Sequence, residues 1–172
     1  MSAVPIDIDE IGPEAEAFLY SFKTLHLATS TADGEAVATY APYAMDEDGS
    51  FIIYVSELSA HTANLQRGAP ICALFIEAEQ DAEHLFARKR LTYHCNVEEV
   101  SRDQPKFDHV MSIMQERFGD FIDYMKKMKD FHAFKLHPTR ANYVRGFAQA
   151  YEFPDAKFTN VRHINDKGHK GG

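Results

Sequence analysis

From Arg90 to Glu98, within the stretch Arg90–Val100, apolar and polar side chains alternate without interruption. Leu91, Tyr93, Cys95 and Val97 fall on one side, and Thr92, His94, Asn96 and Glu98 on the other. A period of two over this length is the mark of a β-strand with one buried face. Such a strand must find neighbours, and the chain offers several of the same short kind. Leu25–Ser30, Val37–Ala44, Phe51–Val55 and Ile71–Ile76 precede it, and Phe131–Leu136 and Asn142–Tyr151 follow. Ala32-Asp33-Gly34 and Asp46-Glu47-Asp48-Gly49 supply tight turns between them.

Helical spacing interrupts this pattern in few places. Gly12-Pro13 is expected to open a first helix whose apolar face is Phe18, Leu19, Phe22 and Leu25. Ser59 can cap a short helix that Gly68 and Pro70 stop. Asp103-Gln104-Pro105 starts a long helix with Phe107, Val110, Met111, Met114 and Phe118 on one face, and a further helical stretch carries Phe121, Ile122 and Met125. The Met/Phe stripe reads as core packing. Short strands joined by tight turns predict antiparallel pairing: a mainly β fold with α, an antiparallel barrel of about six to seven strands with flanking helices. A barrel of that size is filled by side chains, so a large ligand belongs outside it, most simply at a subunit interface. The domain is expected to span residues 1–151, with 152–172 as a polar tail.

Composition narrows the function. At 172 residues and 45% apolar the chain can build one real core. A net charge of −8 without a dense Lys/Arg stripe speaks against nucleic acid as partner. The first residues, Met1 to Phe18, have neither a basic nor an apolar signal region, and no run approaches the roughly 18 apolar residues of a membrane span. Cys72 and Cys95 look like small buried hydrophobes in a reducing compartment, and the expected location is cytoplasmic.

Common catalytic signatures are absent: no Gly-rich nucleotide loop, no Cys-x-x-Cys, no His-Glu-x-x-His, and nine histidines without zinc-like spacing. Two segments stand out. Arg88-Lys89-Arg90 leads into the alternating strand, where an extended chain would put Arg88 and Arg90 on one face and Lys89 on the other. Two guanidinium groups suit an oxyanion such as phosphate or propionate; the plainer reading is a solvated charge run that balances the acidic stretch Glu77–Glu83. Gly168-His169-Lys170 reads either as a loose end or as a glycine arm that brings an imidazole to a metal. His61 reads first as a polar helix residue, His94 as an exposed one, and Tyr40 and Tyr43 as core or interface aromatics.

Several segments together carry a resemblance. They are Leu27-Ala28-Thr29-Ser30, Tyr40-Ala41-Pro42-Tyr43, Tyr54-Val55-Ser56-Glu57-Leu58 with His61-Thr62-x-Asn64-Leu65, and Ala87-Arg88-Lys89-Arg90-Leu91. Glu116-Arg117-Phe118-Gly119, Asp130-Phe131-x-x-Phe134-x-Leu136, Gly146-Phe147-Ala148-x-Ala150-Tyr151 and Gly168-His169 follow. The chain resembles the HugZ/HutZ haem-utilisation family of the FMN-binding split-barrel superfamily, to which pyridoxamine-phosphate oxidase also belongs. The resemblance implies a split β-barrel and a homodimer that binds haem at its interface, opens the porphyrin oxidatively and releases iron, drawing on dioxygen and an external electron donor. It further implies His169 as the axial iron ligand, Asp130 as that ligand's hydrogen-bond partner, and Arg90, with Arg88 nearby, as a distal cation. His61 is implied near the cofactor. Lys89 stands where arginine is expected in the family. The alternatives on the same fold are an FMN oxidoreductase, with Arg88 and Lys89 or Arg90 on the phosphate, and a non-catalytic haem carrier.

Overall fold

The computed structural model describes residues 7–164. The described residues form four α-helices, two short 3-10 turns and a nine-stranded sheet, and they divide into two compact units. One is built from Lys23–Ala73 and His94–Pro138; the other takes Leu74–Tyr93 and the residues before and after. No helix among the described residues is long and apolar enough to cross a membrane.

The terminal unit begins with α1 (Ile8–Tyr20). The Asp7 carboxylate accepts the Asp9 N–H at 3.0 Å, and Asp9 and Glu10 occupy the positive end of the helix. The helix therefore starts earlier than the Gly12-Pro13 pair suggests, and Pro13 sits inside it. Gly12 is there for packing. A Cβ at this position would stand 2.1 Å from the Phe158 carbonyl oxygen. β7 (Phe131–Gly146) enters this unit from the other and turns back through Ala148, at φ +58°, into β8 (Gln149–Phe153). The expected break between residues 136 and 142 is absent, because Pro138 removes one ladder donor without ending the strand. Tyr143 opposes Tyr151, and Ala141 opposes Phe153. Past residue 151 the chain stays paired: Glu152 faces Arg162 in β9 (Arg162–His163).

In the second unit, β1 (Thr24–Ser30) and β2 (Ala36–Pro42) form a hairpin whose turn needs Gly34 at φ +84°. Leu25, Leu27 and Thr29 point inward, and Leu27 opposes Thr39. β3 (Ala44–Met45) pairs with β4 (Phe51–Ser56), and β4 pairs with β7 from Phe51↔Leu136 to Ser56↔Phe131. α2 (Ala60–Gln66), β5 (Ile71–Ile76) and β6 (Arg90–Val100) come next. The order of hydrogen-bonded strands is β2-β1-β5-β6-β7-β4-β3, with β8 on β7 and β9 on β8. α3 (Pro105–Phe118) buries Phe107, Val110, Met111 and Met114 against Ile52, Tyr54, Val100 and Ala133, and α4 (Phe121–Lys126) adds Ile122. The stripe at 3.6-residue spacing is thus the core face expected of it.

The Gly12 geometry sets a sign. Helix propensity alone would make Gly12→Ala stabilising by up to ~1 kcal/mol. The close carbonyl instead predicts a loss of about 1–3 kcal/mol, as for overpacking, read as a lower midpoint of urea unfolding with an unchanged slope.

Candidate functional site

The second unit holds an apolar cleft of about 420 Å³. Its walls come from β2 (Tyr40, Pro42), β4 (Tyr54, Ser56), the start of α2 (Ser59, His61), the ends of α3 and α4 (Met114, Phe118, Phe121, Met125) and the start of β7 (Phe131). Sequence spacing assigned the Met/Phe stripe to the core. Met114 is in the core, and it also forms part of the cleft wall. Tyr40 is 65% exposed, whereas Tyr43 is buried.

His61 is the chemical feature of this cleft. It is 4% exposed, and its Nδ1 lies 2.7 Å from the Thr39 hydroxyl, which in turn lies 3.5 Å from the Leu27 carbonyl oxygen. Its Nε2 is buried without a hydrogen-bond partner. A hydroxyl that donates to Leu27 receives the Nδ1 proton and leaves Nε2 a bare lone pair; the other tautomer leaves Nε2–H without an acceptor. In either form one ring nitrogen has unmet bonding capacity, which is costly in a buried site. Burial holds the ring's pKa below the ordinary 6.5, so it is neutral at physiological pH. α2 is pinned by Thr62 Oγ1, which donates to the Ser56 carbonyl at 2.5 Å, and by Asn64 Nδ2, which donates to Thr29 Oγ1 at 3.0 Å.

Asp130 stands beside the same wall. Its Oδ2 accepts the Ser56 hydroxyl at 2.8 Å, and its carbonyl accepts the Glu57 N–H at 2.8 Å. Ser56 therefore links Asp130 to the cleft that His61 lines. Arg102 braces β4, the start of β7 and the end of α4 through Tyr54 Oη at 2.7 Å and the carbonyls of Lys126 at 2.8 Å and Phe131 at 3.2 Å.

Arg88 and Arg90 belong to the other unit. The Arg88 guanidinium is committed to its own loop: Nε and Nη2 both donate to the Glu77 carbonyl, and Nη1 lies 3.6 Å from Glu79. Lys89 lies 3.8 Å from Glu14, and its backbone N–H donates to Glu77 Oε1 at 2.6 Å. Arg90 donates to the Arg88 carbonyl at 3.0 Å and has no ion pair among the described residues. The triplet is joined through backbone and loop rather than as two free guanidinium groups on one anion. A larger cavity in this unit, about 660 Å³, is lined by Glu14, Glu77, Asp81, Glu83, Lys89 and Arg145. Both of its cations are already paired with Glu14, which accepts from Arg145 at 2.7 Å and from the Tyr143 hydroxyl at 2.6 Å and lies 3.8 Å from Lys89. The apolar cleft, with its unmatched imidazole, is the better candidate site.

His169 lies outside the described residues. Among those described, no three His, Cys, Asp or Glu side chains converge as a metal site. His94, expected to be exposed, is half-buried, with Nδ1 3.3 Å from Cys72 Sγ, because β6 has sheet neighbours on both sides. Burial, aided by nearby Cys72, pushes the Cys95 thiol up to about 12, so Cys95 is an inert core residue. Thr39, Ser56 and Arg102 were not singled out from sequence. Thr39 meets His61 only through the pairing of β1 with β2, whereas Ser56-x-x-Ser59-x-His61 is a visible signal, polar residues spaced along the exit from a buried strand.

The pattern of the pyridoxamine 5′-phosphate oxidase family matches residues 11–145. The chain belongs to this family. Within it the chain sits in the HugZ/HutZ branch, and the fold is the family's split barrel. It is 36% identical over 158 residues to the haem oxygenase HutZ of Vibrio cholerae serotype O1, covering 92% of this chain and 89% of that one. The crystal structure of Vibrio cholerae HutZ, described as a haem storage protein, superposes with a TM-score of 0.70 over 74% of this chain and 89% of that chain. Campylobacter jejuni ChuZ superposes with a TM-score of 0.83 at 32% identity, over 97% of this chain and 67% of that chain.

The two buried or bridged histidines of this unit should titrate in opposite directions. NMR of the imidazole Cε1–H signals is expected to put His61 below 6.5, because burial opposes its charge. His132 is expected above that value, because the hydrogen bonds it donates to Glu57 and Glu99, with their charges, outweigh its own burial. By linkage, His61 takes stability away as pH falls below the unfolded value.

Proposed function

We propose that this chain binds haem and opens the porphyrin ring oxidatively, releasing iron, with dioxygen and an external electron donor. In this reading it acts in the cytoplasm as a homodimer with its sites at the interface. The choice of haem rests on the 36% identity to HutZ, named a haem oxygenase, across 92% of the chain. The geometry that fits it is the aromatic cleft with a buried imidazole whose Nε2 lacks a partner. Haem is an apolar plate whose ring nitrogens already fill four iron positions, so the chain needs to add one imidazole rather than a converging ligand set.

Haem bound here supplies the iron at which dioxygen is activated. The chain's own residues divide the remaining work. His169 would hold the iron through a ring nitrogen. Asp130 receives that ring's other N–H; Ser56 engages its Oδ2, so Oδ1 is left for the imidazole. A carboxylate on the ligand's second nitrogen fixes the tautomer and makes the ligand more electron-donating. The aromatic walls would line the apolar body and exclude water, and His61 would offer its unpartnered Nε2 to the bound group. Arg90, free of an ion pair among the described residues, offers guanidinium N–H donors to the negative charge that develops during oxygen activation. Arg88 supports Arg90 through its carbonyl.

The family match favours a second reading, FMN with its phosphate on Arg88 and Lys89 or Arg90. Arg88 would then have to leave Glu77 and Glu79, and Lys89 to leave Glu14. The description of the Vibrio structure as a storage protein favours a third, a carrier that holds haem unchanged.

Reductant added to the haem-loaded protein in air separates oxygenase from carrier. The oxygenase reading expects loss of the Soret band with stoichiometric free iron; a stable Soret band would leave only storage. Arg90→Ala is expected to keep haem affinity and slow ring opening on the order of 10²-fold, the usual cost of one lost donor to developing charge. Truncation after Asp166 is expected to weaken ligation severely, and an unchanged Soret band would remove His169 from the iron.

A further inference from the structure

His132 lies on β7 and is not among the residues assigned above. Its two ring nitrogens each meet a carboxylate: Nε2 lies 2.7 Å from Glu57 Oε1, and Nδ1 lies 2.9 Å from Glu99 Oε1. A neutral imidazole has one N–H and one lone pair, and a lone pair facing a carboxylate oxygen repels it. The arrangement is therefore that of an imidazolium held by two charge-assisted hydrogen bonds. Its two partners come from different elements, the loop after β4 and the strand β6.

That loop is the cleft wall. The Ser56 hydroxyl donates to Asp130 and accepts the Leu58 N–H at 3.1 Å, the Glu57 N–H donates to the Asp130 carbonyl, and α2 with His61 follows directly. The start of β7 and the residue before it thus grip the loop twice, by Asp130 on its backbone and Ser56, and by His132 on the Glu57 side chain. We propose that the His132 imidazolium is a positioning residue that clamps the Ser56–His61 wall of the cleft to β6 and β7. The clamp itself stands on these contacts alone; only its consequence for haem rests on the function proposed above.

The two carboxylates in direct contact with His132 favour its charge. Glu57 reaches it from the loop and Glu99 from β6, while Gln66 Nε2 of α2 lies 3.4 Å from Nδ1. Arg102 and Lys129 border the same small cavity and oppose the charge, and Asp130, in the turn just before β7, precedes it by two residues. Burial lowers its pKa, and the hydrogen bonds and charges of Glu57 and Glu99 raise it by more. A folded-state pKa above the unfolded one means the clamp is fully present below the unfolded value. It is lost as pH rises through the folded one.

The test uses the full chain, first without haem. Hydrogen-exchange protection factors of residues 57–61, corrected for the intrinsic pH dependence of exchange, are followed with the His132 ring titration in wild type, His132→Gln and Glu99→Gln. Wild type is expected to lose about tenfold in protection as His132 deprotonates, the worth of one charge-assisted hydrogen bond. His132→Gln is expected to be low and flat at every pH, and Glu99→Gln to move the step to lower pH. Protection that ignores the His132 titration, or is unchanged in His132→Gln, overturns the clamp. Haem affinity over the same pH range is then measured in the same three proteins. A step that coincides with the exchange step and vanishes in His132→Gln supports the proposal in full. An exchange step without an affinity step keeps the clamp and overturns the claim that this wall holds haem.

Discussion

The antiparallel pairing of β4 with β7 is the constraint on which the candidate site depends. Six residue pairs, from Phe51↔Leu136 to Ser56↔Phe131, fix where β4 ends relative to where β7 begins. Because the register is set, Ser56 meets Asp130, the Glu57 amide meets the Asp130 carbonyl, and the Glu57 side chain meets His132. A slip of one residue would exchange the faces of either strand and remove all three contacts. β4 can bear this role because it is buried along nearly its whole length, with Phe51 to Val55 inside. The core that holds it, chiefly α3 on Ile52 and Tyr54, also supplies the apolar walls of the cleft. Stability and binding surface are therefore built from the same side chains.

The polar groups around this frame are sorted by solvent. Asp130 and His132 sit where water still reaches and are satisfied by partners of opposite character. His61 sits where water does not reach, and one of its nitrogens is left over. Buried polar atoms are almost always satisfied in folded proteins, and an exception calls for a reason. A bound group that completes the imidazole is such a reason, and it is the structural ground for reading the cleft as a site. The larger cavity of the other unit shows no such orphaned buried atom among the described residues, and its two cations are paired with Glu14.

Much of the fold was legible in the sequence because its signals are local. The alternation in β6, the apolar run of β5 and the α3 stripe each name their own element, and Ile71–Ile76 and Arg90–Val100 match the strands residue for residue. Errors arose where a local signal had a non-local cause. Gly12 looked like a helix start but answers to Phe158, far along the chain. Pro138 looked like a break, yet the ladder on either side of it carries β7 through. The site was legible in part. His61 and Asp130 were named through the family resemblance, and the structure ties both to one wall. Thr39, Arg102 and the double grip of His132 depend on strand register and helix placement, which no short window of sequence encodes. The Arg88-Lys89-Arg90 triplet shows both readings at once, since Arg88 balances the acidic loop as a plain charge run would, while Arg90 does not.

The central claim is that the cleft and its imidazole serve haem rather than a flavin. Parallel titrations of the full chain with haem and with FMN, followed by absorption, test it directly. The account predicts a saturable Soret shift with haem at one equivalent per chain, weakened in His61→Leu, and no saturable change with FMN. Saturable FMN binding with haem showing only the spectrum of the free compound would contradict it.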